Sequence, residues 1–174
     1  NLIAVGMAKK DYDMVRQCSE QLLELQPQAT AALEGMAACA AETGDHEMAA
    51  KFCTLLVDAV PNHFEGWFNL ALAHQKAGRH QQAAEAYQQA IKIRPQSAQA
   101  HTNLGIVRQE LGALKDAMEA YQQALRLDSN ATPAQWNLAL VCEQSGEQEE
   151  AEKAYQKVLD KDPDNQEARF RLGY

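Results

Sequence analysis

Residues 64–97 read FEGWFNLALAHQKAGRHQQAAEAYQQAIKIRPQS, and the order of residue types in this stretch decides the fold. From about Phe64 to Ala77 the apolar residues recur at helical spacing, with Leu70, Ala71 and His74 on one face. Gly78 follows, a residue that takes the left-handed conformation closing a helix. A second helical pattern runs from about His80 to Ile93, with Ala83, Tyr87 and Ala90 on one face. It stops before Pro95, which cannot continue a helix. Small side chains at Ala71 and Ala83 let the two helices approach closely, and Tyr87 fills the space beside them. Neither helix can bury its apolar stripe alone, so the unit needs neighbours.

The neighbours are in the sequence. A step of 34 links Gly44, Gly78, Gly112 and Gly146, and the same step links Ala49, Ala83, Ala117 and Ala151. Tyr87, Tyr121 and Tyr155 fall in register, as do Leu70, Leu104 and Leu138. Pro27, Pro61, Pro95 and Pro163 do too, with Ser129 in the remaining slot. A fixed period of this length marks a stack of supersecondary units. The chain divides into a partial repeat at 1–29, full repeats at 30–63, 64–97, 98–131 and 132–165, and the opening of another at 166–174.

The period of 34, with Trp67, Leu70, Ala71, Ala83, Tyr87, Ala90 and Pro95 in one unit, resembles the tetratricopeptide repeat along the whole chain. Residues 64–97 fit best. In the next two repeats His101, Arg108, Gln135 and Cys142 replace the usual apolar or aromatic residues, and 30–63 is more degenerate. The resemblance implies an all-α fold, a right-handed solenoid of antiparallel helix pairs whose first helices line a concave surface. Phe170 and Leu172 read as part of a repeat that continues, so a longer array is expected, with self-association through the array ends as a further expectation.

Within that pattern the second, fifth, sixth, ninth, twelfth and thirteenth places of each repeat point into the concave face. The sixth place holds Asn69, Asn103 and Asn137, with Asn1 in the partial unit, Gly35 as the gap and Arg171 at the far end. The fifth holds Phe68, Thr102, Trp136 and Phe170; the ninth holds Leu72, Ile106, Leu140 and Tyr174. An asparagine amide both donates and accepts, so it can grip a peptide backbone in two places. Packed helices lie roughly 8–10 Å apart, close to three residues of extended chain at roughly 3.3 Å each. One asparagine per repeat therefore matches an extended peptide held at every third residue. Such a ladder is similar to the one in the repeat domain of O-linked N-acetylglucosamine transferase, which binds extended polypeptide. The dicarboxylate clamp of co-chaperones, by contrast, resembles a set with lysine at the fifth place and asparagine at the ninth, where this chain has Phe68 and Leu72.

Composition narrows the function classes. A formal net charge of -8 disfavours nucleic acid and anionic membrane, which need a cationic surface. No apolar run reaches the roughly 20 residues of a membrane span. Four cysteines, Cys18, Cys39, Cys53 and Cys142, lack any CxxC pairing and read as core thiols, which leans towards a reducing, cytoplasmic setting. The five histidines form no zinc-type spacing, and no metal or other cofactor is expected. Asp160, Asp162 and Asp164 lack the glycine and glutamate of a calcium loop; Asp164 and Asn165 read as helix caps instead. There is no phosphate-binding glycine loop or nucleophile motif, so no catalysis is expected. Arg108 stands where an aromatic is usual, and a nearby carboxylate is its expected partner. Glu65, Glu110 and Glu143 tilt the concave face towards neutral or basic ligands.

The sequence therefore predicts a protein-interaction scaffold that binds an extended peptide or partner segment. The peptide-binding residues would be Asn69, Asn103, Asn137, Phe68, Leu72, Thr102, Ile106, Trp136, Leu140 and Arg171. The alternatives are a substrate-recruiting arm of a larger enzyme, such as a glycosyltransferase, and a self-assembling scaffold.

Overall fold

Each glycine of the 34-residue step closes a helix in the structure. In this computed structural model, which describes residues 2–173, Gly44, Gly78, Gly112 and Gly146 have φ of +75°, +74°, +75° and +80°. The turn at Gly78 shows what that conformation does. The Gly78 N–H donates to the Gln75 carbonyl at 3.0 Å and the Arg79 N–H to the His74 carbonyl at 2.9 Å, which satisfies carbonyls left over at the helix end.

The chain forms two compact units, Asn1–Arg94 and Pro95–Tyr174. In the first are α1 (Leu2–Lys9), α2 (Tyr12–Leu25), α3 (Thr30–Glu42), α4 (His46–Ala59), α5 (Phe64–Lys76) and α6 (His80–Ile93). In the second are α7 (Ala98–Glu110), α8 (Leu114–Leu127), α9 (Thr132–Ser145), α10 (Gln148–Lys161) and α11 (Gln166–Leu172). The described residues contain no strand, so the class is all-α as expected. Within each unit the helices form antiparallel pairs of tetratricopeptide type, each packed on its neighbours in sequence. The expected bounds of the pair α5 and α6 match the observed ones to within one residue.

Starts are fixed less uniformly than stops. Asp11, Asp45, Ser97 and Asn165 cap α2, α4, α7 and α11 by accepting a backbone N–H three residues on. At α5 the cap is His63, whose Nδ1 accepts the Gly66 N–H at 2.9 Å. Its Nε2 lies 3.0 Å from Glu34 on α3, so one imidazole ties two helices together. Of the two caps expected for the last helix, Asn165 makes the bond.

The packing positions of the repeat are filled as the step of 34 requires. Ala83, Ala117 and Ala151 are buried, and so are Tyr87, Tyr121 and Tyr155. Each tyrosine hydroxyl donates twelve residues back, to Gln75 at 2.9 Å, Gln109 at 3.0 Å and Glu143 at 2.6 Å. A buried phenol thus keeps a partner, which removes the penalty of an unsatisfied hydroxyl. In the degenerate repeat Cys53 takes the tyrosine's place, and burial pushes its thiol up to about 12. Cys39 and Cys142 are buried as well, while Cys18 is half-buried.

Candidate functional site

In the first unit, residues of α1, α3 and α5 frame an open trough with α4 beneath. Two adjoining cavities of about 350 and 470 Å³ make it up, and Ala37, Ala38, Cys53 and Asn69 line both. Volumes of this size fall in the roughly 300–1,000 Å³ range of ligand sites. All six concave places of the repeat 30–63 line the trough, namely Ala31, Glu34, Gly35, Ala38, Ala41 and Glu42. From α5 come Glu65, Asn69, Leu72 and Lys76, and from α1 come Ala4 and Met7. Phe68 is not in the lining. It is half-buried, with ring centroids 5.8 Å from Phe64 and 5.6 Å from Tyr87.

Two of the carboxylates at the trough have partners within the unit. Arg94 Nη2 donates to Glu65 at 2.7 Å while its guanidinium lies 3.8 Å from the Phe64 ring centroid. That hydrogen bond holds the Glu65 carboxyl below the usual carboxylate range. Glu34 is taken by His63, and at the other end Glu42 raises the Tyr12 hydroxyl, whose shift comes first from desolvation.

In the second unit the corresponding face belongs to α7 and α9, with α11 at its edge. Asn103 and Asn137 are both half-buried on it, beside the half-buried Ile106 and Leu140. The Trp136 ring sits edge-on to Tyr155, with centroids 5.6 Å apart. Thr102 is buried and its hydroxyl donates back to the Ala98 carbonyl at 2.9 Å. Gln109 donates to Gln144 at 2.9 Å, a side-chain bridge between α7 and α9. Arg171 donates from one nitrogen to both carboxylate oxygens of Glu143, at 2.8 and 2.7 Å, and a second nitrogen lies 3.4 Å from Glu167. The Tyr155 hydroxyl first, and then Arg171, hold the Glu143 carboxyl below its ordinary value. Two of the three acidic groups expected to colour the concave face, Glu65 and Glu143, are therefore ion-paired. Asn1 and Tyr174, the outermost members of the sequence pattern, lie outside the described residues.

Arg108 does not meet the carboxylate expected for it. Its Nη1 donates to the main-chain carbonyl of Asp116 at 3.1 Å, across the turn that joins α7 to α8. An arginine there gives a carbonyl within α8 a second donor, which an aromatic ring could not do.

A tetratricopeptide repeat family model matches residues 16–64 and 68–132, and a second model of the same description matches 132–174. The chain belongs to the tetratricopeptide repeat family. Among solved structures this family member is similar to MamA, at 23% identity and TM-score 0.89, over 94% of this chain and 95% of that one. It is similar to YrrB, reported as a TPR protein with an unusual peptide-binding site, at 16% identity and TM-score 0.89 over 99% and 89% of the two chains. It is also similar to a thermophilic TPR protein of Thermus thermophilus, at 25% identity and TM-score 0.65 over 99% and 94%. These likenesses concern the fold. No curated protein matches the chain.

The aromatic stack that holds Phe68, the His63 cap and the pairing of Arg171 carry no motif in the sequence. Arg171 and Glu143 stand 28 residues apart, and only the step of 34, which makes Arg171 the sixth place of the following repeat, would have brought them together. Among the described residues no group of three His, Cys, Asp or Glu side chains is placed to hold a metal ion, and no helix is long and apolar enough to cross a membrane.

Proposed function

We propose that this tetratricopeptide-repeat chain is a protein-interaction scaffold whose second unit binds an extended segment of a partner protein across α7 and α9. The observation that carries this is the placing of Asn103 and Asn137 at one position on successive first helices, each half-buried beside an apolar neighbour, Ile106 or Leu140. Half-burial suits the task. A side-chain amide out of bulk water competes less with solvent for a peptide N–H and C=O, and its rotamer is already restricted.

In this reading Asn103 and Asn137 hold the backbone, while Ile106, Trp136 and Leu140 read the partner's side chains. Thr102, whose hydroxyl is used within α7, contributes its methyl. Arg171 is not a free cation but fixes Glu143, and the two together present a nearly neutral edge. Asn69 and Leu72 offer one similar amide and apolar pair on the α5 wall of the first unit. That YrrB is reported with a peptide-binding site adds plausibility from the family.

The test is capture of partners from an extract by the wild-type chain and by the Asn103→Ala, Asn137→Ala double variant, followed by affinity measurement on the captured segment. Two amide grips worth about 1 kcal/mol each predict a loss of about tenfold or more in affinity. Unchanged affinity in the double variant, with helix content retained, would reject the proposal.

A further inference from the structure

The trough of the first unit differs from the face of the second in what it offers a backbone. At the sixth place of α3, where a ladder would put an amide, stands Gly35. The residues that line both cavities, and so the middle of the trough, are Ala37, Ala38, Cys53 and Asn69, with Ala41, Leu72 and Ala73 beside them. Of its other polar groups, Glu34 is engaged with His63, His63 with the Gly66 N–H, and Glu65 with Arg94, while Tyr12, Glu42, His46 and Lys76 line the far cavity. Asn69 is left as a lone amide on one wall.

An extended segment laid here would bring two main-chain polar groups per residue against a floor of Ala37, Ala38 and Cys53 whose one central amide is Asn69. Each group so stranded costs about 1–3 kcal/mol. A helix bonds its own backbone internally and brings only side chains to the wall. Small residues at Ala31, Ala38 and Ala41 permit the roughly 8–10 Å separation of packed helices. The stretch from Ala31 to Glu42 spans about 16 Å at 1.5 Å per residue, the length of about three helical turns. Exposed carboxylates border it, Glu34 with His63 at one end and Glu42 with Lys76 in the same cavity at the other, so the balance of charge on the rim favours lysine or arginine on the incoming helix.

We infer that this trough docks an amphipathic α-helix of a partner protein, about three turns long, bulky and apolar on one face and basic at its flanks. The probe is a fluorescein-labelled 15-residue peptide with leucine at i, i+3, i+4 and i+7 and lysines outside that stripe. A companion peptide of the same leucines and lysines carries two central prolines. Anisotropy against the full chain is expected to show the helical peptide binding at least tenfold tighter than the proline peptide, with a gain of peptide helicity on binding. Ala38→Trp, which fills the trough, is expected to weaken binding at least tenfold, and Glu42→Lys to weaken it several-fold at low salt. The Asn103→Ala, Asn137→Ala double variant is expected to leave it unchanged, which separates this site from the one on the second unit. If Ala38→Trp loses its helical signal, the exposed Glu42→Lys decides. Equal binding of the proline peptide, no binding of the helical one, or an affinity untouched by both trough variants overturns the inference. So does a dimer of the chain alone that Ala38→Trp dissolves, because the occupant would then be a second copy.

Discussion

Three residues at one place in successive repeats, Gln75, Gln109 and Glu143, each accept the hydroxyl of a buried tyrosine. The third acceptor is charged, and its bond is the shortest, 2.6 Å against 2.9 and 3.0 Å, as a charge-assisted hydrogen bond should be. Tyr155 and then Arg171 depress the Glu143 carboxyl, so the folded state binds its proton more weakly than the unfolded state does. Stability from this group is therefore fully present above the ordinary glutamate value of about 4.3 and is lost as pH falls through the lower, folded value. The carboxylate is 38% exposed, which keeps the contribution below about 1 kcal/mol. Glu143→Gln restores the acceptor found at the other two places while removing the titration. Urea unfolding is expected to show the variant within about 1 kcal/mol of wild type at pH 7, with the gap narrowing between pH ~5 and ~3. A gap that stays constant over that interval would mean Glu143 does not titrate in the fold's favour.

The helices themselves were the most legible part of the sequence, because glycine and proline act locally and leave their marks within a few residues of the boundary they set. What the sequence hid are contacts made by residues far apart in the chain. Gly35 is the clearest case, an apparent gap in the asparagine pattern. A Cβ built on it would lie 2.5 Å from Ser19 Oγ and 3.0 Å from Val15 Cγ1 on α2, and 3.2 Å from Ile3 on α1. Ser19 and Val15 are fully buried and cannot retreat into solvent. The gap is thus a packing requirement of α1 and α2 on α3, whereas Asn69 at the same place on α5 is exposed. The Phe68 ring makes one contact of each kind, with Phe64 one turn back on α5 and with Tyr87 across the pair on α6. Overpacking at Gly35 is expected to cost about 1–3 kcal/mol for Gly35→Ala, outweighing the roughly 1 kcal/mol that alanine contributes as a better helix former. Gly35→Asn should cost more. Thermal unfolding is the measurement, with about 2–4 °C lost per kcal/mol in a chain of this size; a Tm raised by Gly35→Ala would show that α2 yields.

Across the whole chain, the four thiols report where stability is stored. Cys39 and Cys53 are 3% and 1% exposed in the first unit, and Cys142 is 3% exposed in the second. Burial pushes the Cys53 thiol up to about 12 and, with Glu147 and Glu150 adding to it, the Cys142 thiol to about 11. None of these reacts as a thiolate near pH 8 without an opening of the fold. Half-buried Cys18 is expected to label first with a disulfide reagent, and the other three slowly. Stacked repeats are held by nearest neighbours, so openings need not involve the whole chain. Gly35→Ala strains α1, α2 and α3, and Cys39 lies in the same cluster as Ile3 and Val15. In that variant Cys39 and Cys53 are expected to label faster, by about tenfold for each 1.4 kcal/mol lost, while Cys142 keeps its wild-type rate. Mass spectrometry of peptides after timed labelling distinguishes the sites. Equal acceleration at all three buried thiols would instead mean that the chain opens only as one cooperative whole, and that its repeats do not store stability locally.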